Sequence, residues 1–170
     1  LLNIFDRYIL ADNGHLKLFF DDDWNCSYDI FSYGHDIEAS WLLHEAALVL
    51  DDKEMLARIE ARVPSVVAAA SEGFTPEGGM IYEKLCEEID GDRHWWVQAE
   101  AVVGYFNLWE HFGAEEGLEN ALHCWEFINA GLIDRENGEW FWSVRADGTV
   151  NRDDDKAGFW KCPYHNGRMC

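Results

Sequence analysis

A chain of 170 residues that is 48% hydrophobic and 15% aromatic can build one globular domain with a sizeable core, which excludes a disordered polymer. Its 33 acidic against 13 basic residues leave a formal charge of −20, which excludes nucleic acid and anionic membranes as partners, since phosphate would be repelled and counterion release needs basic residues. Nine tryptophans exceed what such a core needs, and an indole is costly to bury unless its N–H finds a partner, so some are expected on a wet concave surface where sugars can stack.

In chain order, LLNIFDRYIL (1–10) reads as the tail of a helix, and NGHLKLFFDDDWN (13–25) as a small hairpin or extended loop between a Gly turn and an acidic turn. GHDIEASWLLHEAALVL (34–50) is rich in Ala, Leu and Glu with no internal Gly or Pro, and predicts a helix. DDKEMLARIEARVPSVVAAASEG (51–73) predicts another, with Met55, Ile59, Val63, Val66, Val67 and Ala70 as its apolar stripe, a kink at Pro64 and Gly73 as C-terminal cap. After a Gly-marked loop with room for a hairpin (75–92) the pattern repeats. RHWWVQAEAVVGYFNLWEHFG (93–113) is apolar nearly all round, as a buried helix is. AEEGLENALHCWEFINAG (114–131) carries one stripe, Leu118, Ala121, Leu122, Trp125 and Ile128, as a covering helix does. A third hairpin-like stretch, RENGEWFWSVRADGTVNRDDD (135–155), precedes WKCPYHNGRMC (160–170), which opens another inner helix. The unit is loop, inner helix, outer helix, with inner helices expected near 35, 94 and 164. A period of roughly 60 to 70 residues marks repeated helical hairpins. Such hairpins stack into an open solenoid or close into a ring, and periodicity alone does not choose.

Chemistry-bearing residues gather at the same place in three successive repeats, at or just before an inner-helix start. In the first, His35, Glu38 and Trp41 share about a third of the helix circumference. His35 and Glu38 are three apart, so the carboxylate is expected to fix the tautomer of the imidazole and raise its basicity, as a general acid/base needs. The alternative is a capping His35 with Glu38 in a first-turn charge pair. In the second, Trp96 and Glu100 lie four apart on one face while Trp95 and Gln98 point elsewhere, and a carboxylate in so apolar a helix needs a partner, structural or ligand. In the third, Trp160, His165, Asn166 and Arg168 crowd one short loop. A zinc site there would use Cys162, His165 and Cys170, but a fourth ligand is not visible nearby and the spacing matches no common structural site, so neither metal nor other cofactor is expected. His44, His111 and His123 read as ordinary helix residues, and His94 as a cap or partner. The DDD runs at 21–23 and 153–155 lack the glycine and distal glutamate of a calcium loop and read as solvated turns. Five cysteines without a CxxC pair, no signal-peptide pattern and no apolar run of membrane-spanning length point to a reducing cytoplasm.

GHDIEASWLL, HWWVQAEAVVGYFNLW and WKCPYHNGRMC resemble, in order and separation, the three signature stretches of the cellobiose 2-epimerases within the N-acylglucosamine 2-epimerase superfamily. The resemblance spans essentially the whole chain and corresponds to the C-terminal half of that family. It implies an all-α fold: an (α/α)6 barrel of inner and outer helical hairpins with short β-hairpin loops, of which residues 1–170 would be a single partial domain. The site would lie at the funnel mouth, where inner helices begin. The implied reaction inverts C2 of the reducing-end glucose of a β-1,4-linked disaccharide, cellobiose to glucosyl-mannose or lactose to epilactose, without metal or nucleotide. By motif, His35 and His165 resemble the two acid/base histidines. Glu38, Trp41, Trp96 and Glu100 match residues the family needs for activity, and Trp95 and Trp160 resemble sugar-stacking walls.

The C2 proton becomes removable once the ring opens and C1 is a carbonyl, which gives a cis-enediolate. Two histidines with an ordinary pKa of about 6.5 can then exchange acid and base roles with direction. On this reading Glu38 would hold His35, and Arg168 would help stabilise the enediolate. A further histidine and an arginine belong to the family's N-terminal half. The chain is therefore expected to need that half, to bury its inner helices incompletely alone, and to leave His165 in its least ordered part. An N-acylglucosamine 2-epimerase or aldose–ketose isomerase on the same barrel, and a non-catalytic sugar-binding module, are the alternative readings.

Overall fold

In the computed structural model, which describes residues 1–170, two long helices stand side by side at the centre. A short helix α1 (Leu2–Ile4) continues through a π-helical turn at Phe5–Ile9. A loop leads to strand β1 (Ile30–Ser32) and the first inner helix, α2 (Tyr33–Leu50). Outer helices α3 (Lys53–Glu60) and α4 (Val63–Ala70) pack against it. Strands β2 (Glu83–Leu85), β3 (Glu88–Asp90) and β4 (Arg93–His94) precede the second inner helix, α5 (Trp95–Phe112), which α6 (Glu115–Phe127) covers. Strand β5 (Ser143–Val144) and α7 (Tyr164–Met169) follow. Inner helices thus begin at Tyr33, Trp95 and Tyr164, close to the starts expected from the repeat.

Helix ends follow local chemistry. α2 stops where Asp51 takes a left-handed backbone (φ 56°) and α5 where Gly113 does (φ 68°), which turns the chain and returns an N–H to the last carbonyls. The single kinked helix expected over 51–73 is instead two helices. Asp52 caps α3 by accepting from the backbone N–H groups of Glu54 and Met55. Pro64 has no N–H and its ring clashes with the carbonyl four residues back, so the first helix ends at Glu60 and Pro64 sits in the opening turn of α4. Gly73 is not the expected left-handed cap. It lies in a 3-10 turn, Ser71–Gly73, and a Cβ there would come within 2.4 Å of the Tyr33 ring.

The hairpin loops stitch neighbouring repeats together. β1, just before α2, pairs antiparallel with β2, and β2 with β3, in the registers Ile30↔Leu85 and Lys84↔Ile89. β4, just before α5, pairs with β5 through Arg93↔Val144 and His94↔Ser143. The starts of α2 and α5 are therefore each tied through backbone to the loop of the following repeat. The main core fills the space between Ile37 and Ala47 of α2, Val66 and Ala70 of α4, Val97, Ala101 and Tyr105 of α5, and Ala121 and Cys124 of α6. A smaller one holds Trp95, Ala99, Ile128, Leu132, Trp140 and Val144. Each large side chain so buried contributes roughly 1.5–3 kcal/mol. Gly34 sets how closely the inner helices meet, for a Cβ there would lie 2.6 Å from the Trp96 indole.

Candidate active site

The three residue clusters converge on one cleft of about 560 Å³ at the inner-helix starts. His35 and Glu38 reach it from α2, Trp95 and Trp96 from α5, and Trp160 and His165 from the loop before α7 and α7 itself. Trp96 is the centre of the arrangement, with the His35 ring 4.8 Å from it and the His165 ring 5.5 Å from it, centroid to centroid. Four of the nine tryptophans line this cleft, which accounts for much of the aromatic excess noted in the composition.

Trp41, Glu100 and Arg168 do not line the cleft but form a layer behind it. Glu100 is fully buried, and a carboxylate so placed survives only when its oxygens are satisfied. It accepts from Trp41 Nε1–H at 3.0 Å, from His165 Nδ1–H at 2.5 Å and from the Arg168 guanidinium. Arg168 also donates to Glu38 at 3.1 Å and stacks on the rings of Trp41 and Tyr164. Its charge is thus committed to two carboxylates, so the expected role beside an enediolate gives way to holding those carboxylates in place. Trp41 is buried and acts here as a hydrogen-bond donor to Glu100.

The histidine–carboxylate pairing differs from that expected. His35 does not engage Glu38; its Nδ1 lies 2.7 Å from Ser32 Oγ. The carboxylate-held imidazole is His165, with Glu100 at 2.5 Å and Glu38 at 3.8 Å. An ionised carboxylate only accepts, so the proton on His165 sits on Nδ1 and Nε2 is left with its lone pair, ready to take a proton. Burial pushes His35 below the usual imidazole range, against the opposing pull of Asp36. Burial and then the nearby Glu100 push the Glu38 carboxyl above its usual range, with Arg168 and His165 opposing.

Trp95 is only 2% exposed; it meets His165 edge-on at 5.2 Å and receives the Lys161 ammonium 5.1 Å from its ring. It backs the cleft rather than offering an open face. Trp160, 81% exposed, is the rim residue able to present one. Lys161 is buried and donates to the carbonyls of Trp140 at 2.5 Å and Lys156 at 2.8 Å, which anchors the loop carrying Trp160. His165 itself is not loosely held, being tied to Glu100 and packed between Trp95 and Tyr164.

Three lining residues escaped the sequence reading: Tyr82, Trp142 and, as a cleft residue, His94. Tyr82 and His94 stack at 4.1 Å, and His94 meets Trp142 edge-on at 6.1 Å. The signal for Trp142 lay in the alternating EWFWSV, but alternation does not say which indole enters the core and which the cleft. Tyr82 sits in the loop before β2 and carried no motif. The cysteine–histidine zinc set does not assemble, because Cys162 and Cys170 are exposed while the His165 Nδ1 is turned to Glu100. Ligating atoms of Glu38, Glu100 and His165 do lie within 4.8 Å of one another, but the Arg168 guanidinium already supplies the positive charge between the two carboxylates. The acidic runs form turns: Asp21 accepts from the N–H groups of Asp23 and Asn25, while Arg145 pairs with Asp153.

Residues 1–167 match the family described as N-acylglucosamine 2-epimerase. A cellobiose 2-epimerase of Bacteroides fragilis is 62% identical over all of this chain and 44% of its own length. One from Ruminococcus albus is 44% identical over 97% of this chain and 43% of its own. The crystal structure of a sugar epimerase from a ruminal bacterium superposes with a TM-score of 0.95 at 40% identity, covering 99% of this chain and 44% of that one. The helical hairpins described above are therefore part of an (α/α)6 barrel. The chain spans less than half the length of the curated relatives it matches.

Proposed function

The chain belongs to the N-acylglucosamine 2-epimerase family, and from that premise we propose that it forms one wall of an active site that inverts C2 of the reducing-end glucose in a β-1,4-linked disaccharide. Cellobiose would become glucosyl-mannose, and lactose epilactose. The observation that carries this reading is the pair of imidazoles that both pack against Trp96 in one cleft, one held by a buried carboxylate and one by a hydroxyl. Once the sugar ring opens and C1 is a carbonyl, one imidazole takes the C2 proton and the C–H electron pair enters the enediolate. The other, as imidazolium, returns a proton to C2 from the opposite face, and the carbonyl re-forms. General acid–base help of this kind contributes about 10²- to 10⁴-fold. Trp96 and Trp160 would stack on the sugar, and Glu38, Glu100, Trp41 and Arg168 would keep His165 in place.

The chain acts, on this proposal, as a single partial domain completed by further barrel helices. An apolar groove of about 580 Å³ supports that, for it runs beside the cleft and is lined by Leu2, Phe5, Ile9, Phe20 and Leu42 together with His35 and Glu38. Five unpaired cysteines, four of them exposed, support a reducing, cytoplasmic setting. Incubation of the full-length protein with cellobiose or lactose in deuterated water should place deuterium at C2 of a mannose-ended product. A ketose product would make it an isomerase, turnover of an N-acylglucosamine would shift the substrate class, and sugar binding without exchange would reduce it to a binding module.

A further inference from the structure

The two histidines of the cleft have unlike partners, and the partner of His35 sits at a position where it would ordinarily serve the backbone. Ser32 is the N-cap residue of α2, where a serine usually accepts from a backbone N–H of the first turn. It makes no such bond. Its hydroxyl, on a residue 2% exposed, instead hydrogen-bonds with His35 Nδ1 at 2.7 Å. We infer that Ser32 is a positioning residue that orients His35 through a neutral partner, so that a proton gained by this imidazole is readily returned, whereas His165 is oriented by a carboxylate.

The chemistry follows from the partner's charge. A hydroxyl that accepts from Nδ1–H fixes the ring and leaves Nε2 to exchange protons, but unlike Glu100 it adds no negative charge to hold an imidazolium. When Nε2 of His35 takes the C2 proton, the C–H bond breaks, its electron pair enters the enediolate and the N–H bond forms. The charge then rests on a desolvated ring. The groups facing that ring are Asp36 on its own helix, itself paired with His15 at 2.7 Å, and His165 from α7. Glu38, Glu100 and Arg168 lie around His165, and His94 lines the same cleft. Asp36 is thus the one carboxylate opposing desolvation at His35, and burial outweighs it.

This inference rests on the acid–base role proposed for His35, but one arm of its test needs no turnover. In the full-length protein, nitrogen-15 NMR of the His35 ring should give a titration midpoint below 6.5, and Ser32→Asp should raise it by roughly one pH unit or more. The limb of the kcat/KM profile that reports His35 should move upward with it. Ser32→Ala should lower kcat on the order of 10-fold with little change in KM, and Ser32→Thr, which keeps the hydroxyl, should restore most of it. A His35 midpoint at or above 6.5 in the unsubstituted protein overturns the inference, and that measurement needs no variant to fold. So does a pH profile unmoved by Ser32→Asp, or a Ser32→Ala variant that loses only thermal stability. If the NMR shift appears while C2 exchange is absent, the epimerase reading fails and the control of His35 by Ser32 stands.

Discussion

Glu100 is the residue on which the geometry of the cleft depends most. It holds His165 by the Nδ1–H, receives the Trp41 indole N–H and shares Arg168 with Glu38. Glu100→Gln in the full-length protein keeps the shape but replaces the carboxylate with an amide that has one acceptor oxygen for three donors. The expected result is a fall in kcat of about 10²-fold with a smaller change in KM, since a misoriented general base loses rate before it loses binding. His165→Ala and His35→Ala should abolish turnover, and steady-state kinetics on cellobiose checks all three. The sequence pointed to His35, Glu38, Glu100 and His165 as site residues but joined the wrong pair. Spacing along one helix brought His35 and Glu38 together, whereas the bond that formed runs from α5 to α7, between residues 65 positions apart. Spacing cannot see across helices. Ser32 was equally hidden, because a serine before a helix is ordinarily its cap.

At the scale of elements, the helices were legible where the signal was local. α2 and α5 have no internal proline, and the single glycine in each, Gly34 in the first turn of α2 and Gly104 within α5, does not interrupt them; their starts fell within two residues of expectation. The π-helical turns at Phe5–Ile9 and Ile128–Leu132 were not, since the apolar stripe runs on while the hydrogen bonds change partners. Long-range staples were invisible too. His15, in the loop before β1, lies 2.7 Å from Asp36 in the first turn of α2, and Asp36 also accepts the Leu16 N–H at 2.8 Å. Burial alone would lower the His15 pKa, but the hydrogen bond and charge of Asp36, with Glu72 at 3.6 Å, outweigh it and raise the value above 6.5. A histidine whose folded pKa is raised contributes stability that is complete below its unfolded value of about 6.5 and is lost as pH rises through the folded one. The thermal midpoint of the native chain should therefore exceed that of His15→Gln most at pH 6, and the gap should narrow as pH is raised toward 9. A constant gap would mean that His15 is neutral in the fold.

For the whole molecule, the repeat period gave helical hairpins but not their closure. A solenoid and a ring share the same inner and outer stripes, and the choice came from the resemblance of three motifs, upheld by superposition on a solved structure. Net charge is the other property of this scale. With 33 acidic and 13 basic residues, most carboxylates have no cationic partner, and the ion pairs on the surface, such as Arg145 with Asp153, are worth about 0–1 kcal/mol each. Repulsion among unpaired carboxylates acts over a Debye length of about 10 Å at 0.1 M salt and about 3 Å at 1 M. Salt therefore relieves more repulsion than it weakens attraction, and the thermal midpoint of the chain should rise between roughly 0.05 and 0.5 M sodium chloride, over which the Debye length falls about threefold. The buried Glu100–Arg168–Glu38 group is shielded by protein and should hold its geometry across that range. The proposed disaccharide substrate carries no charge, so on that proposal kcat/KM of the full-length protein should stay flat over the same salt series. A steep fall in kcat/KM would instead indicate a charged substrate drawn to the site by the field of the protein.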